Sequence, residues 1–389
     1  MNRPRRLLSI GHSYVVALNR RLAHEMARVG AERWEVTVAA PKFMRADLRP
    51  ITLESFPQEA ARLIPISAYL TTSPHLLFYG ALLRRLLSEP WDLIHCWEEP
   101  YVLAGGQIAF WSRKRPLVYQ TFQNIPKCYP PPFRQLERFA LQRARAWIAG
   151  GQTVAATLQG RPGYADKPHC IVGLGVDVDV FRPDRAAGNA IRQSLGWTDT
   201  GPPVVGYLGR FVPEKGLNLL MQALEWISVP WRVLFVGGGD LEGELRSWAA
   251  RFPDSRVRVV TGVPHDQVPA YLNAMDILTA PSQTTRRWRE QFGRMLIEAM
   301  ACGVPVVGSD SGEIPFVIGD AGMVVPEADV QAWVSVLSTL LENPAQRAEL
   351  AARGRERVHA RFAWPVVARL HLDFFDEILD YGSPLSLNF

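Results

Sequence analysis

The chain is poor in cysteine. Cys96, Cys128, Cys170 and Cys302 are its four thiols over 389 residues, and no two stand at C-x-x-C spacing. That spacing excludes a disulfide scaffold and a structural zinc site, and it favours a reducing compartment. No apolar run approaches the roughly 18 residues of a membrane span, and the opening MNRPRRLLSIGHSY carries positive charge without the apolar stretch of a signal peptide. The expectation is a cytoplasmic protein, with peripheral contact at the inner membrane face as an option. Internal repeats and low-complexity tracts are missing too. So is a Walker A pattern, and neither GLGVDV nor GGGDLEG matches G-x-G-x-x-G, which leaves nicotinamide binding little support.

What is present is a large apolar fraction, 48% of 389 residues. This is too much chain for one ordinary core and suits two α/β halves. The formal charge of +5 is carried by arginine in short clusters rather than one basic block. Such a distribution fits phosphate-bearing ligands or an anionic lipid surface.

Strand and helix alternate from the start. Leu7 to Ile10 reads as a buried strand, Tyr14 to Val29 has helical spacing closed by Gly30, and Trp34 to Ala40 is a second strand. This pattern predicts a parallel, doubly wound sheet, whose ligands bind beyond the carboxyl ends of the strands. Gly11 and His12 are therefore candidate cleft residues. The strands Trp91 to Trp97 and Leu117 to Phe122 add Glu99, Gln123 and Asn124 in the same way. Residues 42 to 73 read as a loop-rich excursion and Pro74 to Leu87 as a helix. Phe133 to Arg145 predicts an amphipathic helix with four arginines against one glutamate; it suits a membrane surface, or equally a solvated basic face.

The most informative stretch is Glu290 to Cys302, EQFGRMLIEAMAC, closed by Gly303. Apolar runs on both sides predict strand, loop, helix, strand, with Gly293 opening the helix and Gly303 just past its end. Glu290 then lies in the loop and Glu298 more than a turn inside the helix, at most about 12 Å apart along its axis. Free amides of the first turn lie between them and favour a phosphate. The implied ligand has hydroxyls at both ends and a phosphate in the middle. Upstream, GRFVPEKG places Arg210 and Lys215 at a strand end before a helix, a sensible diphosphate clamp.

EQFGRMLIEAMACGVPVVGSD resembles the signature of the retaining glycosyltransferases of family 4, identified by E, seven residues, E. GRFVPEKG resembles their G-R-x-x-x-x-K-G phosphate loop, and GLGVDVDVFRPD their interdomain linker. The resemblance implies an α/β GT-B fold, two Rossmann-like doubly wound parallel-sheet domains facing a cleft. It places an acceptor-side domain at 1–175, a nucleotide-sugar-binding domain at 176–364 and a terminal helix at 365–389 crossing back to the first. It further implies a nucleoside diphosphate sugar as donor and a glycan, lipid-linked or small-molecule acceptor, with no nucleic acid, cofactor or metal. Arg210, Lys215 and Glu290 would be catalytic, Glu290 by contacting the donor sugar. Glu298 would hold the ribose hydroxyls, Phe292, Gly293, Met295 and Leu296 would bind the donor, with the amides from Gly293 to Leu296 on its diphosphate, and Val263 would lie where the base is held. One departure stands out: TFQN occupies a strand end where many relatives carry histidine, although a branch with PPPF, here Pro130 to Phe133, shares it. The readings that stay open beside transfer are a catalytically silent nucleotide-sugar binder or scaffold and another GT-B enzyme such as an epimerase.

Overall fold

The computed structural model of the chain describes residues 3–45, 50–56, 58–197, 201–253 and 256–380. It divides into two compact units, one running up to Gly173 and joined by the helix from Trp364, the other spanning Leu174–Ala363.

The first unit is built on a seven-stranded sheet. Its strands are β1 (Arg5–Ile10), β2 (Trp34–Pro41), β3 (Arg62–Ile66), β4 (Leu93–Cys96), β5 (Leu117–Thr121), β6 (Ala146–Ala149) and β7 (His169–Ile171). They lie in the order β7-β6-β5-β4-β1-β2-β3, all neighbours parallel. Ser9 of β1 stands opposite Val38 on one side and His95 on the other. The middle strands β4 and β5 are buried throughout because both faces are covered, as parallel sheets require. The covering helices are α1 (Arg21–Val29), α2 (Ala81–Ser88), α3 (Leu103–Ser112), α4 (Phe133–Arg143) and α5 (Gln152–Gln159).

The second unit carries a six-stranded sheet of β8 (Val204–Arg210), β9 (Arg232–Gly238), β10 (Val257–Thr261), β11 (Ile277–Ala280), β12 (Val306–Ser309) and β13 (Met323–Val325), in the parallel order β10-β9-β8-β11-β12-β13. Its helices are α6 (Arg185–Ser194), α7 (Leu217–Trp226), α8 (Glu242–Ala249), α9 (Val268–Asn273), α10 (Arg294–Ala301), α11 (Ile314–Ile318), α12 (Val330–Glu342) and α13 (Pro344–Arg361). Local sequence sets several boundaries. Asp329 caps α12 by accepting from the Ala332 amide at 3.0 Å, and Asn343 caps α13 from the Gln346 amide at 3.0 Å with Pro344 in the first turn.

Three expectations need correction. The segment expected as one helix from Tyr14 is two 3-10 turns, His12–Val15 and Ala17–Arg20, before α1 begins. Arg20 explains the break. It is fully buried and uses its guanidinium on Glu59 and on the carbonyls of Tyr14 and Glu54. Within the expected loop of 42–73, Arg62–Ile66 is an edge strand whose Pro65 is tolerated because no further strand needs its amide. The helix expected from Pro74 starts only at Ala81, after Phe78–Tyr79 has paired with Ala68–Tyr69.

The final helix, α14 (Trp364–Asp380), closes the first unit. It buries Val367, Ala368, Leu372, Phe375 and Ile378 against Leu22, Met26, Trp34 and Val36. Arg5 bonds Asp376 at 2.5 Å, and Arg33 reaches the same carboxylate at 2.7 Å. Among the described residues no helix is long and apolar enough to cross a membrane. Phe375 lies fully buried between Trp34, His95 and His371. Phe375→Ala is expected to lower stability by about 3–5 kcal/mol in urea unfolding of the full chain; a loss within about 0.5 kcal/mol, the scale of surface changes, would contradict this account of α14.

Candidate functional site

In the second unit the strand order reverses between β8 and β11, where open parallel sheets form a crevice beyond their carboxyl ends. Lys215 ends a 3-10 turn just past β8, and Ser282 follows β11. Gly216 lets these loops touch: it adopts φ +72°, and a Cβ there would lie 1.7 Å from the Pro281 carbonyl. The result is a compact charge cluster. Lys215 Nζ meets Glu290 Oε2 at 2.5 Å, with the two side chains only 13% and 9% exposed. Ser282 Oγ donates to the same oxygen at 3.0 Å, and the Trp288 ring lies 5.0 Å from the ammonium. The Glu290 carbonyl accepts the Glu313 amide at 3.1 Å, so its backbone is fixed as well. A lysine has three donors, and with one on Glu290 two can serve an anion.

Arg210 ends β8 with its side chain 60% exposed and a loose partner in Glu214 at 3.9 Å. Such a pair contributes little, so the guanidinium can turn to a ligand. Its backbone is held, because Tyr207 donates its hydroxyl to the Arg210 carbonyl at 2.7 Å.

Gly293 caps α10 at φ +82° and offers no side chain to the first-turn amides. Phe292 and Leu296 point into the core, so these two residues bring backbone rather than side chains to this helix end. Met295 is half-buried and packs on the same core, as does Val263. Glu298 lies buried one turn further in, with His265 Nε2 at 3.1 Å from its Oε1. Arg294 stands four residues before it. Burial holds the Arg294 pKa below its ordinary value while Glu298 acts in the opposite direction. A cation in the first turn of a helix opposes the macrodipole and fits a position that meets an anion. Sequence reasoning did not single out Ser282, Trp288, His265 or Arg294; the misplaced charge of Arg294 was the one available signal.

In the first unit the reversal falls between β1 and β4. His12, after β1, donates its amide to Glu98 Oε1 at 2.6 Å and sets Nδ1 2.5 Å from Oε2. Tyr79 donates its hydroxyl to Glu98 as well. The carboxylate meeting His12 is therefore Glu98 rather than its neighbour Glu99. Its charge raises the His12 pKa above the ordinary 6.5, against the opposing effect of burial. Glu99 accepts from Thr121 Oγ1 at 2.6 Å and the Phe122 amide at 2.8 Å, and burial pushes its carboxyl up to about 7. Gln123 donates Nε2 to the Ile125 carbonyl at 2.6 Å, and the Asn124 carbonyl accepts from Thr157 at 3.2 Å. Gly11 precedes His12 in extended backbone. No cluster of three or more metal-ligating side chains occurs among the described residues.

Residues 18–180 match the family model described as Glycosyltransferase Family 4, and residues 189–357 the model described as Glycosyl transferases group 1. The chain is 34% identical over 200 residues to a GDP-mannose-dependent monoacylated alpha-(1-6)-phosphatidylinositol monomannoside mannosyltransferase of Corynebacterium glutamicum; the match covers 50% of this chain and 52% of that one. It therefore spans about half the length of that enzyme. It is 27% identical over 311 residues to the 2-deoxystreptamine glucosyltransferase of Streptomyces kanamyceticus, covering 78% and 74% of the two chains. Among solved structures, sucrose-phosphate synthase from Thermosynechococcus elongatus superposes with TM-score 0.72 at 22% identity, over 96% of this chain and 99% of that one. The fold class is thus α/β, two Rossmann-like parallel-sheet units with GT-B neighbours, and the matches support glycosyl transfer as the general reaction.

Two measurements check this geometry. Glu290→Ala leaves the shielded Lys215 ammonium without its partner and is expected to lower stability by about 3–5 kcal/mol; a loss within about 0.5 kcal/mol would show the pair to be incidental. His12 and Glu99 of the first unit each contribute stability that falls as pH rises. The His12 contribution is complete below 6.5 and is lost as pH passes its raised folded value. Glu99, raised from 4.5 to about 7, becomes costly to ionise across that interval. In urea titrations His12→Gln and Glu99→Gln each remove their own part of this slope, and an unchanged slope in both would contradict the assignment.

Proposed function

We propose, on the premise of a glycosyltransferase whose two halves each match a glycosyltransferase family model, that the protein moves a sugar from a nucleoside diphosphate sugar to a hydroxyl acceptor with retention of anomeric configuration. The observation that supports this most is the shielded Lys215–Glu290–Ser282 cluster beside the uncapped start of α10, at the strand-order reversal of the second unit.

In this reading Arg210, Lys215 and the amides from Gly293 to Leu296 take the diphosphate, Glu290 the donor sugar, Glu298 the ribose hydroxyls, and Val263 borders the base. The bond between the anomeric carbon and the phosphate oxygen breaks, and its electron pair stays on that oxygen. Preorganised positive potential stabilises the developing charge. The acceptor oxygen bonds to the anomeric carbon on the face the phosphate leaves, and its proton passes to the departing phosphate oxygen. Gln123 is an amide and cannot take that proton, and Glu98 favours the charged, proton-donating form of His12. His12, Glu99, Gln123, Asn124 and the backbone at Gly11 then serve acceptor positioning. Two cations and a helix terminus supply the needed charge, so neither a divalent metal nor a cofactor enters this scheme.

The acceptor is a glycan, a lipid-linked molecule or a small molecule. One relative is named for a phosphatidylinositol monomannoside and the other for 2-deoxystreptamine. The basic residues of the first unit suit a lipid-linked acceptor, with the protein working in the cytoplasm and touching the membrane peripherally through its basic helices. A thermal-shift screen across UDP, GDP, ADP and TDP sugars identifies the donor, and labelled donor with lipid extracts reports turnover. Glu298→Ala is expected to weaken nucleotide binding, while Arg210→Ala lowers kcat by about 10²–10³-fold. Unchanged kinetics in both, or donor bound without transfer or hydrolysis, would overturn the reading.

A further inference from the structure

Glu290 is not the only side chain that meets the Lys215 ammonium. The Trp288 ring centre lies 5.0 Å from Nζ, inside the roughly 6 Å over which an aromatic face attracts a cation. Trp288 is half-buried, and the short loop that carries it is anchored at several points. Just after β11 the Gln283 amide donates to the Glu214 carbonyl at 2.8 Å, so the segment that brings the tryptophan is bonded directly to the residue before Lys215. Thr284 donates its amide to the Glu327 carboxylate and sets Oγ1 3.0 Å from Ser311 Oγ. Thr285 then closes the loop on itself. Its amide donates to the Trp288 carbonyl at 2.7 Å, and its Oγ1 accepts the Arg287 and Trp288 amides at 3.3 and 3.0 Å. Residues that follow β8, β11, β12 and β13 thus combine to fix one ring beside one ammonium.

An aromatic ring suits this place for an electrostatic reason. Glu290 already offsets the charge of Lys215, and a second carboxylate would leave the pair net negative and repel a diphosphate. A ring attracts the ammonium through its quadrupole and adds no net charge. A free lysine side chain would lose its rotamer freedom on meeting the ligand, whereas one confined by Glu290 and Trp288 has lost it already on folding. The same loop carries Arg286 and Arg287, which are exposed and, among the described residues, form no ion pair. Charges in open solvent are screened by salt, so these two add to the general positive potential and do not set where Nζ lies.

We propose that Trp288 is a positioning residue: by cation–π attraction it holds the Lys215 ammonium where the diphosphate of the donor arrives, without the negative charge that would repel that group. The inference rests on the donor site proposed above and deepens it by naming what preorganises the lysine. It holds for any base or sugar on the donor.

Isothermal titration of the full chain with UDP, GDP and inorganic pyrophosphate tests it. For each probe that the unaltered chain binds, Trp288→Leu is expected to weaken binding about tenfold, the scale of one partly shielded cation–π contact, with the melting temperature unchanged. Trp288→Phe keeps an aromatic face and stays within about threefold of the unaltered chain. Because the tryptophan acts through Lys215, W288L adds no further loss in a K215M background. The comparison of W288L with W288F stands on its own if the K215M variant fails to fold. Equal losses in W288L and W288F would show a ring that only fills space, and a full W288L loss in the K215M background would show a ring that acts independently of the lysine; either overturns the assignment. Unchanged affinity in W288L overturns it too while leaving the donor site standing. If the unaltered chain binds none of the three probes, the donor site fails and this inference with it.

Discussion

The second unit depends on one shielded ion pair. Lys215 and Glu290 come from loops 75 residues apart and meet with little exposure to water. Holding both charges there costs solvation, which their attraction offsets only if geometry and further hydrogen bonds are good. Ser282 supplies one such bond, the Glu313 amide fixes the carboxylate's backbone, and Gly216 removes the side chain that would keep the loops apart. A pair of this kind is a poor device for stability alone. As a way of holding an ammonium ready for an anion, with little rearrangement when the ligand arrives, it makes physical sense.

The same arrangement recurs in the first unit with different chemistry. There too a carboxylate and a cation-forming side chain meet where the strand order reverses, as Glu98 and His12. Glu98 is enclosed and bonded by the His12 amide and ring and by Tyr79, so the ring is held in place and its charged form favoured. Both sites sit where parallel sheets leave strand ends uncovered, which is why loops with little regular structure carry the chemistry and the sheets beneath them carry the burial.

Much of this was legible in the sequence because it is local. Alternating apolar runs mark the strands, Gly293 and Gly303 bracket α10 at their expected places, and the spacing of Glu290 and Glu298 puts one in a loop and the other in a helix. The rest depends on contacts between distant residues. Glu98 and Glu99 are indistinguishable as neighbours in sequence, and only the paths of β1 and β4 decide which of them meets His12. Pro65 looked like a loop signal until the strand containing it proved to be an edge. The expected helix from Tyr14 failed because a buried Arg20 prefers carbonyls and Glu59 to a helical turn.

A crystal structure of the full chain with a nucleoside diphosphate sugar bound tests the central claim most directly. The account places the phosphates within hydrogen-bonding reach of Lys215 Nζ and of the amides that open α10, with Glu290 and Glu298 at opposite ends of the ligand. Phosphates seated away from that helix end, with Lys215 still engaged only by Glu290, would contradict it.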